Sequence, residues 1–424
     1  MNNDLCTFVD ASPSPYHAVV EVARRLETTG FRRLDEREVW KLAPGDQRYV
    51  VRDGGTIAGL RVGRAEPASA GLRLVGGHTD SPVFKVRPCP DVRRHGWRLV
   101  GVEPYGGVLY HTWMDRDLTL AGRVAVRGPD GAPALRLVHL PGAPLRIPSL
   151  AIHLCREIKE QGLKLSPQAH LVPVWGFDLG AEPGLVEALA DLVGVAPDAV
   201  LGHDLVTADT QPAGLGGPDG EWVLAPRLDN LASCHAAVEA LIGADTADAT
   251  QVIVLNDHEE VGSGSAEGAR GSFLEDLVHR IVAATDDTDP QSVPRAIAGS
   301  WMVSADTAHA VHPNYADKHD PQHRPRLGGG PVLKVNAAQS YATDAASGGW
   351  FAARCADAGV RLQYFSSHAD LTCGSTIGPL TAMRLGLATV DVGSPLLSMH
   401  SCREQAHTAD IAPMVHALHT HLAT

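Results

Sequence analysis

Short apolar blocks separated by turn residues dominate the first half of the chain, and helix-period stretches alternate with strand-like runs in the second. Val19, Val20, Val22, Ala23 and Leu26 fall at helical spacing and predict a helix over Asp10 to Leu26. Strand-like stretches follow, the last being Leu72-Arg-Leu-Val75, which runs into Gly76 and Gly77. From Arg87 to about Asp219 the texture changes to Pro, Gly and short β-branched runs such as Arg98-Leu-Val-Gly-Val102 and Leu118-Thr-Leu-Ala-Gly-Arg-Val-Ala-Val126. Recurrent turn residues between them predict antiparallel β structure. After the Gly-Pro-Asp-Gly turn at 217–220 the pattern becomes α/β. Leu231, Ala232, Val238 and Leu241 predict a helix capped by Asp229 or Asn230, and Val252 to Leu255 has the length and branching of a strand. A short strand should end at Asp306, a long loop should fill Asp317 to Pro331, and His400 should open the last helical stretch.

Composition narrows the class. A chain of 424 residues exceeds one ordinary core, so two domains are expected. A net charge of -13 with no basic stripe excludes a grip on nucleic acid. No apolar run approaches the roughly 20 residues needed to cross a bilayer, so no membrane partner is expected. The start lacks a basic region followed by an apolar one, and seven cysteines without a Cys-x-x-Cys pair read as reduced thiols. Both point to a cytoplasmic protein.

Candidate chemistry gathers just beyond the strand-like runs, where open α/β sheets place their sites. Glu259 and Glu260 follow the run that ends at Leu255, and adjacent carboxylates suit metal-assisted hydrolysis, one holding a metal while the other moves protons. Glu-Glu pairs are also common on solvated helix faces. His78 and Asp80 lie two apart in an extended segment, so Asp80 can orient the imidazole of His78, although a simple turn pair is an equal reading. Asp229, Asp306 and His400 complete an ordered set of His, Asp, Glu-Glu, Asp and His. That set spans both sides of the β-rich segment. The expected architecture is therefore a discontinuous α/β domain over 1–86 and 221–424, a mixed sheet flanked by helices, with a mainly β insert over 87–220.

The motifs Gly77-His-Thr-Asp-Ser-Pro82, Arg227-Leu-Asp-Asn230, Asp257-His-Glu-Glu-Val-Gly-Ser263, Ser304-Ala-Asp-Thr-Ala-His309 and Gly393-Ser-Pro-Leu-Leu-Ser-Met-His-Ser401 closely resemble those of the M18 metallo-aminopeptidases, the aspartyl aminopeptidase family. The likeness runs over nearly the whole chain and includes Leu150-Ala-Ile-His-Leu154, Leu333-Lys-Val-Asn336 and Cys373-Gly-Ser-Thr-Ile-Gly-Pro379. It implies two divalent metal ions, one held by His78, Asp229 and Asp306 and the other by Asp229, Glu260 and His400. The all N/O ligand set suits Zn2+ without excluding Mn2+ or Co2+. Glu259 would take a proton from the attacking water and pass it to the leaving amine. Positions matching Lys334, Tyr341, His309 and His153 contact substrate in the family, and a lysine facing the pocket would favour an acidic N-terminal residue of a peptide with a free N-terminus. From the residues alone, Lys334 reads equally as a lysine at a strand edge facing water. His153 reads as a packed helix histidine, and a helical turn would bring His309 beside Asp306. The resemblance also implies that the insert serves in dimerisation, that dimers build a homo-oligomer of twelve subunits, and that His153 enters a neighbour's site.

Rival readings are an aminopeptidase preferring neutral or hydrophobic N-terminal residues, and a two-metal carboxypeptidase or deacylase of related fold. A serine hydrolase is disfavoured because no Gly-x-Ser-x-Gly elbow occurs. A non-enzymatic assembly protein is disfavoured because every expected ligand and Glu259 are present.

Overall fold

The computed structural model describes residues 1–285 and 289–424. Its centre is a nine-stranded mixed sheet in the order Arg32–Arg33, Gln47–Arg52, Thr56–Arg61, Thr250–Asn256, Leu72–His78, Trp301–Ala305, Ala388–Gly393, Val332–Val335 and Gln363–Ser366. Four of these, from Thr250–Asn256 to Ala388–Gly393, run parallel to one another. Apart from Trp301 and Ala388 at two strand starts, their apolar residues are buried on both faces, as parallel strands require. One face packs helices Asn2–Asp10, Pro15–Thr28, Leu228–Gly243, Ala345–Asp357 and Thr408–Leu422, and the other packs Phe273–Ala284, Ser292–Ala298 and Ile377–Leu385. The α/β class and the mixed, helix-flanked sheet are those expected. No helix among the described residues is long and apolar enough to cross a membrane.

A second sheet of six antiparallel strands, in the order Pro133–His139, Leu118–Arg127, Val200–Asp209, Val83–Arg94, Trp97–Tyr105 and Val174–Phe177, has its own apolar core. It opens at Val83, before the expected limit of 87, and closes at Asp209. Gly214–Gly216 already belongs to a small sheet with Trp222–Ala225 and Glu404–His407.

Three local expectations change. The helix expected over Asp10 to Leu26 starts only at Pro15, because Ser12-Pro13-Ser14-Pro15 separates it from a first helix that ends at Asp10. Pro15 starts the second one and the Ser14 side chain accepts the amide N–H of His17, a serine cap with proline in the first turn. His400 does not open the last helix, which begins at Thr408 after the strand Glu404–His407. His309 lies in the short strand Ala308–His309, paired with Pro395–Leu396, and not in a helical turn.

Candidate active site

The parallel strands end together and deliver the polar residues to one place. His78 closes its own strand opposite Asn256, and the chain beyond Asn256 turns through Glu259–Val261. Asp306 follows Ala305, and its carbonyl oxygen lies so near Gly393 that an added Cβ there would overlap it, at 1.7 Å. Glycine at that position therefore lets two neighbouring strand ends converge.

Asp229 is the centre of the arrangement. It precedes the regular part of its helix, with φ -82° and ψ 104°, and is 3% exposed. Its Oδ1 lies 3.7 Å from Nε2 of His78, and its Oδ2 lies 3.5 Å from Nε2 of His400. Nε2 of His400 is also 3.6 Å from Oε2 of Glu260. His78, Asp229 and Asp306 form one group whose ligand atoms lie within 4.8 Å of one another, and Asp229, Glu260 and His400 form a second. Asp229 thus belongs to both. Its Oδ1 is buried without a hydrogen-bond partner, an unmet demand that a cation would satisfy.

The charges make the same point. Burial, with the nearby Asp229, pushes the Glu260 carboxyl well above its usual range. Burial also raises Asp306, to about 6, despite the Lys334 ammonium beside it. Asp229 goes the other way, held at about 2 because hydrogen bonding to His400 and the charges of both imidazoles outweigh its burial. Such a crowd of carboxylates in a half-enclosed space calls for added positive charge, and the N/O donor set suits divalent transition ions. Glu259 is only partly buried, and burial together with Asp306, Asp80 and Asp229 raises it to about 7.

Asp80 orients its neighbours from beneath. His78 Nδ1 meets the Asp80 carbonyl oxygen at 3.1 Å and the carboxylate Oδ1 at 3.3 Å, so the main chain shares the role expected of the side chain. The same carboxylate accepts the amide N–H groups of Glu259 and Glu260, each at 3.1 Å, and the Tyr105 hydroxyl at 2.7 Å. Glu404 does similar work above, accepting the N–H of His400 at 2.7 Å and that of Asp229 at 3.0 Å.

His78, Asp229, Glu259, Glu260, Asp306 and His400 line a cleft of about 420 Å³ together with His309, Lys334 and Tyr341, while Asp80, Tyr105 and Glu404 stand behind its wall. Lys334 is not at a sheet edge. Its strand lies between Ala388–Gly393 and Gln363–Ser366, and its side chain is 2% exposed. Nζ donates to the carbonyl oxygens of Asp306 and Thr307, at 2.9 and 3.1 Å, and sits 5.0 Å from the centre of the Tyr341 ring. An ammonium has three N–H groups, so one is left over. Of the expected site residues, Asp80 supports the cleft from behind without lining it, and His153 does not join it at all. His153 lies exposed in the short turn Ile152–Leu154 of the second sheet's region, not packed in a helix. Sequence reasoning missed Tyr105, Glu404 and the exposed Arg270, which also lines the cleft. None stands at the end of a parallel strand or at a helix start, the positions that singled out the others.

The chain matches the family model described as aminopeptidase I zinc metalloprotease (M18) over residues 8–421. It is 46% identical over 423 residues to a probable M18 family aminopeptidase 2 of Pseudomonas aeruginosa, covering 99% of this chain and 97% of that protein. Among solved structures it resembles a chain of the cryo-EM structure of the Ape4 and Nbr1 complex, with a TM-score of 0.96, 35% identity, and coverage of 100% of this chain and 85% of that one. It also resembles the Saccharomyces cerevisiae mApe1 dodecamer, with a TM-score of 0.85, 27% identity, and coverage of 99% and 95%. With a match of this extent laid over a cleft that gathers imidazoles and carboxylates at the strand ends, the chain belongs to the M18 family and is a metallo-aminopeptidase.

Proposed function

We propose that this aminopeptidase works with two divalent metal ions, most readily Zn2+ with Mn2+ or Co2+ as substitutes, and prefers peptides with an acidic N-terminal residue. The observation that carries the two-ion reading is Asp229, which turns one oxygen toward His78 and the other toward His400. His78, Asp229 and Asp306 would hold one ion, and Asp229, Glu260 and His400 the other. When bound, the ions supply electrophilic polarisation of the scissile carbonyl and make an attacking water more acidic.

The chain's own groups do the rest. Glu259 lines the cleft and, although it groups with His78 and Glu260, belongs to neither three-residue set that contains Asp229, which leaves its carboxylate to accept and return a proton. It removes the proton from water as the new C–O bond forms. The same proton then passes to the departing amine nitrogen as the C–N bond breaks, which returns Glu259 to its carboxylate. Asp80 holds the amides of both glutamates and the far nitrogen of His78, so it orients without reacting. Lys334, with one N–H uncommitted inside the cleft, favours a carboxylate on the substrate's first side chain, and Tyr341 and His309 line the space beside it.

Association into a homo-oligomer, with dimers as units of a dodecamer, is part of the same proposal. The segment around His153 carries exposed Leu150, Ile152 and Leu154, and the matched mApe1 is a dodecamer. The second sheet's domain would serve that association and bring His153 to a neighbouring cleft. All seven cysteines are free, which suits a reducing compartment such as the cytoplasm. A kinetic panel of aminoacyl substrates with Asp, Glu, Leu and Ala at the N-terminus, run with and without zinc, manganese and cobalt, tests the reading. Metal-dependent turnover highest on Asp or Glu is expected. Preference for Leu would overturn the specificity, and metal-independent turnover would overturn the mechanism.

A further inference from the structure

We propose that Tyr105 and Gly107, at the end of one strand of the second sheet, are positioning residues that set the geometry of both metal half-sites, an inference that rests on the metal assignments above. The second sheet would then act in catalysis within its own subunit, separately from any part in association.

Two independent sets of contacts carry it. On one side, the Tyr105 hydroxyl donates to Oδ2 of Asp80 at 2.7 Å, and Asp80 is 1% exposed. That carboxylate also receives the amides of Glu259 and Glu260 at 3.1 Å and faces Nδ1 of His78 at 3.3 Å. Tyr105 therefore reaches the first half-site and the general base through one shared carboxylate. On the other side, Nδ1 of His400 lies 3.2 Å from the carbonyl oxygen of Gly107, leaving Nε2 turned toward Asp229 and Glu260. The amide of Leu109 donates to the carbonyl of His400 at 3.1 Å, which ties the two segments again two residues further on. The approach is close, with Gly106 at φ +73° and an alanine at 107 obliging the His400 ring to shift by a few tenths of an ångström. A Cβ on Gly106 would lie 2.9 Å from the Cβ of Glu260, and one on Gly107 would lie 3.0 Å from Nδ1 of His400.

The physical consequence follows from how imidazole ligands are fixed. The nitrogen away from the ion needs an acceptor held in place, because that acceptor sets both the tautomer and the ring's direction. Without its hydroxyl partner, Oδ2 of Asp80 keeps only the Glu260 amide, and the carboxylate loses a restraint on its rotation. Displacement of Gly107 would remove the acceptor that orients His400.

Tyr105→Phe keeps the ring and deletes the hydroxyl, and Gly107→Ala disturbs the other half-site. Both are to be compared with wild type by titrating metal-free protein with zinc against a chromophoric chelator, and by measuring kcat and KM on the same preparations. About 10-fold or greater loss of zinc affinity is expected in each variant, with kcat reduced and KM within about twofold. The metal-free Tyr105→Phe protein should keep the wild-type circular dichroism spectrum and a single cooperative thermal transition lowered by only a few degrees, which separates positioning from loss of the fold. Wild-type zinc affinity and kcat in both variants would overturn the proposal. A wild-type protein that binds no zinc in the same titration would instead overturn the metal assignment beneath it.

Discussion

Lys334 shows how one side chain can serve two ends at the residue scale. Two of its N–H groups are committed to the carbonyls of Asp306 and Thr307, and the ammonium lies 4.0 Å from Oδ1 of Asp306. The proposed role of the third is to meet an acidic side chain of the substrate. Lys334→Ala should therefore lower kcat/KM on N-terminal Asp or Glu far more than on Leu or Ala, since a single charge-assisted contact contributes about 1.5 to 3 kcal/mol, or roughly one to two decades. Parallel measurements on Glu and Leu substrates check this, and an equal fall on both would make Lys334 a support for Asp306 alone. Among the proposed ligands, His78, Glu260 and Asp306 stood out because each ends or follows an apolar run that becomes a parallel strand, whereas Asp229 stands at the start of a helical segment behind an antiparallel strand. Lys334 was ambiguous because a strand's place in a sheet depends on pairing with residues elsewhere in the chain. Tyr105 and Glu404 were invisible for the same reason, since the groups they hold come from remote segments.

At the scale of elements, the last helix, Thr408–Leu422, is fastened to the central sheet by a buried histidine. His421 is fully buried, its Nε2 lies 2.9 Å from the carbonyl oxygen of Leu74, and its Nδ1 has no partner. Burial, reinforced by Arg73, depresses its pKa to about 3. An unfolded histidine takes up its proton near pH 6.5. Between that pH and about 3 the unfolded state binds the proton and the folded state does not, so stability falls as pH drops through this window, by at most about 1.4 kcal/mol per unit. His421→Gln removes this contribution. Denaturant unfolding at a series of pH values should show wild type ahead at pH 7 and the two stabilities converging toward pH 4, whereas parallel curves would exclude His421 as a source of acid sensitivity. The strands and most helices were readable from period and capping residues. The early helix break at Ser12-Pro13-Ser14-Pro15 had its signal in plain view, and the apolar spacing over Val19 to Leu26 does not extend back across it.

Across the whole molecule, the chain gives no cleft contact to His153, although the residues around it present apolar side chains to solvent. Isolated apolar residues are ordinary on a surface, but a contiguous group marks a site of association. If His153 completes a neighbour's cleft, mixing subunits should rescue activity. Chains carrying His153→Ala, reassembled from dissociated subunits with chains carrying Glu259→Gln, should form some sites in which an intact Glu259 meets an intact His153. Activity above the sum of the two parents is expected, with differently tagged chains to verify the hybrids. Verified hybrids with no excess activity would confine His153 to its own subunit. Turn-rich texture made the β-rich stretch legible, and its strands form one sheet between Val83 and Asp209. Gly214–Gly216 carries turn-like composition yet pairs with Trp222–Ala225, a pairing that depends on a partner strand and not on local composition.

The central claim is that two adjacent glutamates divide the labour, Glu260 holding metal and Glu259 moving the proton. Glu259→Gln can still hydrogen-bond a water but cannot accept its proton. The decisive measurement is kcat of purified Glu259→Gln at a metal content matched to wild type by elemental analysis. A fall of several orders of magnitude with both metals retained is the predicted result. A kcat near that of wild type under the same conditions would contradict the account.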